Sequence, residues 1–172
     1  MAIATYHEFP QIRKTFSGKK IVICTGTFDI THAGHAHFLA ESKRSGDILV
    51  VGVGRDKDVR DTKGSEHPII KEHLRLKMID ALRVVDYAFL QNSPNPPSEW
   101  LSPIREICLL LHPDIWSVNY DGAQMPNRIV LAKELGIELK ILNLDRNHPE
   151  FEGLSTTQII EKIKRLSGKQ QD

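Results

Sequence analysis

The sequence predicts an α/β fold, a doubly wound parallel sheet of five strands with helices on both faces. Three observations predict it. Short β-branched or apolar runs alternate with segments of helical spacing along most of the chain. The run 47–54 (DILVVGVG) is apolar without alternation, the pattern of a strand covered on both sides. Gly46 and Gly136 stand where helical segments stop and the next strand is due. Strands that alternate with helices connect through right-handed crossovers and so build a Rossmann-like sheet. A strand order of 3-2-1-4-5 is expected, which opens the ligand crevice beyond the carboxyl ends of strands one and four.

The elements follow in turn. Residues 20–25 (KIVICT) form the first strand, with Gly26 behind it. Residues 36–44 have helical spacing, and 47–54 form the second strand. In the helix 72–84, Leu74, Met78, Ala81, Leu82 and Val85 share one apolar face. The third strand is 86–90, followed by a proline-rich loop at 93–97 and a helix at 98–111. The strand 114–119 (DIWSVN), the helix 124–135 and the strand 137–142 complete the sheet. In the last helix, 155–166, Ile159, Ile160, Ile163 and Leu166 point inward, with Glu161, Lys162, Lys164 and Arg165 outward.

A chain of 172 residues suits one domain, expected to span 19–167 after an N-terminal extension of 1–18 and before a tail of 168–172. Lys and Arg number 23 against 22 Asp and Glu, a formal charge of +1, so nothing in the overall charge attracts nucleic acid or a membrane surface. No apolar run approaches the roughly 18 residues of a membrane span. The start of the chain lacks a basic segment followed by an apolar stretch, so no secretory signal is expected. Cys24 and Cys108 are two thiols in apolar runs, too few for a disulfide framework. A cytoplasmic protein is the expectation.

The segment after strand one carries the chemistry. Gly26, Thr27, Phe28, Asp29, Ile30, Thr31, His32, Ala33, Gly34 and His35 take the chain from a strand through a turn into a helix. A helix start offers unpaired N–H groups and partial positive charge, a cradle for phosphate. His32 and His35 lie three apart and project to one side, while Gly34 lets a ligand approach the backbone. Two imidazoles there suit stabilisation of a phosphoryl group under attack. The same pair joined by His37 resembles zinc spacing, but His37 follows His35 by two and faces elsewhere, with no cysteine near. No protein metal site is therefore expected.

The motif G-T-F-D-x-x-H-x-G-H resembles the signature of the HxGH nucleotidyltransferase superfamily, the cytidylyltransferase-like enzymes, over roughly 21–163. The resemblance implies transfer of a nucleoside monophosphate, from ATP or CTP, to a phosphorylated small molecule with release of pyrophosphate. It implies His32, His35 and Lys63 as catalytic residues, Lys63 reaching the triphosphate from a mobile loop. It further implies nucleotide binding by Thr27, Phe28, Asp29, Gly34 and Arg75, with Arg83 extending a basic wall along the Arg75 helix face. After strand four, Asn119 stands where relatives often have glycine, and Asp121 helps shape the nucleoside pocket. Ser155 and Thr156 open the last helix as a capping box with Gln158, and their hydroxyls also hold phosphates. Magnesium accompanying the triphosphate is the implied cofactor, and a homodimer the implied assembly.

The acceptor is left open between two groups. The stretch VVGVGRDKDVRDTKGSEHPI, Ala33 and the absence of arginine just before Ser155 resemble the adenylyltransferases of heptose 1-phosphate. The run Gly26 to Asp29 resembles the glycerol-3-phosphate cytidylyltransferases more. A phosphorylated sugar or polyol is expected, with sugar-phosphate adenylyl transfer favoured. A catalytically inactive nucleotide-binding regulator would keep the same pocket, and Asn119 together with the displaced arginine fits that reading.

Overall fold

The computed structural model describes residues 2–96, 98–120, 125–143 and 155–168. Its centre is a six-stranded sheet, β1 (Ala2–Ile3), β2 (Ile21–Gly26), β3 (Ile48–Val53), β4 (Tyr87–Leu90), β5 (Ile115–Asn119) and β6 (Glu138–Leu142). The spatial order is β1-β4-β3-β2-β5-β6 and all pairs are parallel. The five expected strands thus stand in the expected 3-2-1-4-5 order. The correction is the sixth strand, because the segment read as an extension packs into the domain.

Local chemistry explains that segment. Glu8 Oε2 accepts the Thr5 backbone N–H at 2.7 Å and its hydroxyl at 2.8 Å, opening a 3-10 turn (Tyr6–Glu8) that leads into α1 (Phe9–Thr15). Ala2 pairs with Tyr87 at the sheet edge. Phe9 is fully buried and stands 5.0 Å from both Tyr6 and Phe89, ring centre to ring centre. Arg13 then staples the segment down, donating to the Phe16 and Lys19 carbonyls and to Asp114.

Alternation along the strands splits the core in two. Ile21, Ile23, Val50, Phe89 and Trp116 face α1, α5 (Ser102–Leu111) and α6 (Met125–Leu135). Val22, Cys24, Leu49, Val51 and Val53 face α2 (Ala33–Lys43) and α4 (Glu72–Asp80). β3 is buried along its whole length, as its unbroken apolar run requires. Among the described residues, no helix is long and apolar enough to cross a membrane.

Three helical readings change. α4 buries Arg75, Leu76 and Ile79, whereas Leu74 and Met78 are exposed. The fully buried guanidinium of Arg75 turns the helix away from the face that apolar spacing alone suggests. Residues 56–63, for which no element is expected and whose Lys63 is implied on a mobile loop, form α3 (Asp56–Lys63), whose one buried residue is Val59. On α7 (Thr156–Gly168), Ile163 and Leu166 are exposed and not inward, as is every position from Glu161 to Ser167.

Candidate active site

β2 ends at Gly26, where an added Cβ would meet the Phe28 ring at 2.9 Å. Glycine at this position lets Phe28 fold back over the strand end. Phe28 and Ile30 both take left-handed backbone angles, φ 53° and 44°, two such residues within one turn. The surroundings hold them there. Phe28 is buried in the α2–α4 core layer, and Thr31 Oγ1 donates to its carbonyl at 3.0 Å. The turn delivers His32 to the extended position just before α2.

From there the two imidazoles meet. Their rings stack with centres 4.0 Å apart and planes 29° from parallel, both half-buried. The His32 backbone N–H donates to His35 Nδ1 at 3.4 Å. Phe28 presents its edge to the His35 ring at 5.4 Å. Burial, then the neighbouring His32 and Lys63, push the His35 pKa down to about 4. His35 at neutral pH is therefore uncharged, its Nδ1 an acceptor and its Nε2 the proton-bearing nitrogen. A neutral ring in this tautomer can donate a hydrogen bond from Nε2 without being a cation.

Asp29 ties down the loop beyond α3. It is buried, and its carboxylate accepts the N–H groups of Ile30, Ile69 and Ile70 at 3.1, 2.8 and 2.9 Å. Its own carbonyl accepts the Thr156 hydroxyl at 3.0 Å, joining the first turn to the last helix. Ser155 caps that helix as expected, its Oγ accepting the Gln158 N–H at 3.2 Å. Arg75 has a different place from the expected one. Its guanidinium bonds the carbonyls of Thr27, Gly54 and Ile70 and the Asp56 carboxylate, so its donors go to the framework. Arg83 lies exposed beyond the end of α4, and the two form no common basic wall.

Among the described residues, two clefts open at the carboxyl edge of the sheet. The smaller, about 390 Å³, is lined by Thr27, Asp29, Lys63, His67, Thr156 and Thr157. The His32 and His35 rings form none of its wall but stand beside it, for Lys63 and Asp29 both act on His35. The larger, about 480 Å³, lies over the ends of β2, β3 and β4, to one side of the crevice expected between strands one and four. Thr25, Gln91 and Asn92 form polar parts of its wall, Asp58 and Lys63 come from α3, and Trp100 and Arg128 close it. Thr27 and Lys63 belong to both clefts. Lys63 does so from the last position of α3, not from a loop.

Asn119 ends β5 with a buried Oδ1 that meets no hydrogen-bond donor among the described residues. Asp121 lies outside the described residues, as do Arg146, the nearest arginine before Ser155, and residues 147–154 between them. Asp58, Trp100 and Arg128 escape sequence reading because each is an isolated residue on an otherwise ordinary segment. For Asp58 a signal exists: acidic residues at 56 and 58, basic ones at 60 and 63 and Gly64 behind them outline a helix.

A parallel α/β sheet, a strained strand-to-helix turn carrying His-x-Gly-His, and paired clefts around one lysine define a nucleotidyltransferase-type domain. Residues 23–162 match the cytidylyltransferase-like family, and the chain belongs to it. The bifunctional protein HldE of Helicobacter pylori (strain J99) is 37% identical over 147 residues, 86% of this chain and 28% of that protein. HldE of Campylobacter jejuni subsp. doylei is 34% identical over 146 residues, 85% of this chain. The chain thus spans little more than a quarter of the length of these relatives. A lipopolysaccharide core biosynthesis protein from Thermoplasma volcanium superposes with a TM-score of 0.59 at 37% identity, covering 72% of this chain and 94% of that one. The pantoate-beta-alanine ligase of Francisella tularensis shares the fold with a TM-score of 0.67 at 17% identity, over 94% of this chain and 73% of its own.

Proposed function

We propose that this chain transfers a nucleoside monophosphate, AMP favoured over CMP, from its triphosphate to a phosphorylated sugar. The observation that carries the proposal is the pair of clefts sharing Thr27 and Lys63. Two ligands seated side by side there would meet at that common wall.

In this reading the triphosphate chain lies in the smaller cleft, against Lys63 and the Thr156 and Thr157 end of α7. A phosphate oxygen of the acceptor, held in the larger cleft, attacks the α-phosphorus in line. The bond from the α-phosphorus to the bridging oxygen breaks, and that oxygen leaves on pyrophosphate. No proton needs to move if the acceptor phosphate arrives ionised. His35 Nε2–H and Lys63 donate to the oxygens on which charge builds, and Asp29 keeps the loop beside them in place. Among the described residues, no three His, Cys, Asp or Glu side chains gather to hold a metal ion. Magnesium, which screens phosphate charge, would accompany the triphosphate on the nucleotide's own oxygens.

The larger cleft suits a sugar. Trp100 offers a flat apolar face, and Asp58, Gln91 and Asn92 offer partners for hydroxyl groups. The sequence likeness to HldE and to a lipopolysaccharide core biosynthesis protein supports the same class of acceptor. The test is a matrix of four nucleoside triphosphates against sugar phosphates and polyol phosphates, read by pyrophosphate formation. Release with ATP and an aldose 1-phosphate is expected. Release only with CTP and glycerol 3-phosphate would move the chain to the other acceptor group, and nucleotide binding without any release would favour a regulator.

A further inference from the structure

The smaller cleft holds a third imidazole, one that the histidine turn does not supply. His67 lines it together with Thr27, Asp29, Lys63, Thr156 and Thr157. Gly64 ends α3 with φ 95°, and the His67 N–H donates to the Gly64 carbonyl at 3.0 Å. This tight turn lets Lys63 and His67 line one cleft from either side of it. The His67 side chain is 31% exposed, so it is held against the fold and still open to a ligand.

The hydrogen bonds around the cleft do not use up this ring. Its Nδ1 lies 4.0 Å from Asp29 Oδ2, too far for a hydrogen bond. That carboxylate is instead engaged by the N–H groups of Ile30, Ile69 and Ile70. Thr156 gives its hydroxyl to the Asp29 carbonyl. The other lining side chains, Thr27, Lys63, His67 and Thr157, all carry donors, and the first turn of α7 adds partial positive charge. Such a wall suits an anion. Position then selects its part. Thr27 and Lys63 belong to the wall shared with the larger cleft, whereas His67, Thr156 and Thr157 line the smaller one alone. With the α-phosphorus at the shared wall, where an acceptor reaches it, the rest of the phosphate chain extends toward His67.

We infer that His67 binds the β- and γ-phosphates of the triphosphate, the part that departs as pyrophosphate. An imidazole offers an N–H donor to a phosphate oxygen whether neutral or protonated, so the contact does not depend on charge. The assignment takes its ligand from the transfer reading above but concerns one side chain and one end of that ligand.

The experiment measures binding to the full chain by calorimetry, with ATP against AMP, CTP against CMP, and inorganic pyrophosphate alone. Wild type is expected to bind pyrophosphate and to prefer one triphosphate over its monophosphate. His67→Ala should lose about tenfold of that preference and a similar factor in pyrophosphate affinity. Monophosphate affinity should stay within about twofold. His67→Phe keeps a ring without nitrogen and should lose as much as alanine, whereas His67→Gln keeps a donor and should recover part. A phenylalanine variant that retains the preference would assign the ring to packing and overturn the inference. Equal loss of monophosphate and triphosphate, an unchanged preference in the alanine variant, or no pyrophosphate binding by wild type would overturn it as well. If no sugar or polyol phosphate ever yields pyrophosphate while His67-dependent triphosphate binding persists, the transfer reading fails and the contact of His67 with these phosphates stands.

Discussion

His35 shows how a side chain's protonation follows from its neighbours. Its Nδ1 is occupied by the His32 N–H and its ring is half-buried against Phe28, so it works as a neutral donor. His35→Ala should therefore lower kcat by about 10²–10³ while leaving the circular dichroism spectrum unchanged, since the role proposed for it is one preorganised donor. A pH dependence follows as well. The unfolded chain titrates this imidazole near 6.5, the folded chain near 4. Between those values the unfolded state binds a proton that the folded state refuses, so stability falls as pH drops from about 6.5 to about 4. Denaturant titrations at pH 7.5 and 5 should show a larger loss for wild type than for His35→Gln. The histidine pair was legible in the sequence because its chemistry resides in residue type and spacing. Arg75 was not, because sequence shows a charge but not that four framework acceptors enclose it.

At the scale of elements, α3 and the loop behind it decide where Lys63 stands. Gly64 closes α3 with φ 95°, and the chain then runs to Ile69 and Ile70, whose amides end on Asp29. Asp29→Asn replaces a carboxylate that accepts three N–H groups by an amide with one acceptor oxygen. The expected outcome is a loss of about 1–3 kcal/mol, with faster hydrogen exchange at Ile69 and Ile70 and little change within β3. Strands were easier to foresee than helices here. β3 is apolar throughout and buried throughout, but α3 has a single buried side chain, so periodicity carried no signal for it. On α4 the apolar positions Leu74 and Met78 form an outer face, since packing follows the guanidinium between them.

For the whole molecule, the N-terminal segment is structural. Tyr6, Phe9 and Phe89 form one aromatic cluster, and the Tyr6 oxygen accepts the Asn92 N–H at 2.9 Å beside the larger cleft. Deleting residues 1–16 would uncover Phe89 and the β4 edge. Such a chain should melt well below wild type or fail to remain in solution, as thermal unfolding would show; a truncated chain melting within a few degrees of wild type would contradict it. The sheet order was legible because crossover handedness leaves few alternatives, whereas β1 has only two residues and no pattern to read. A last consequence concerns synthesis. The hydroxyl of Thr156 reaches the carbonyl of Asp29 across 127 positions of sequence. A ribosome delivers all six strands before that hydroxyl emerges, so a nascent chain can fold its sheet and still lack the brace of its first turn. A chain cut before α7 should keep its sheet yet lose that brace, as faster hydrogen exchange in the turn after β2 would show.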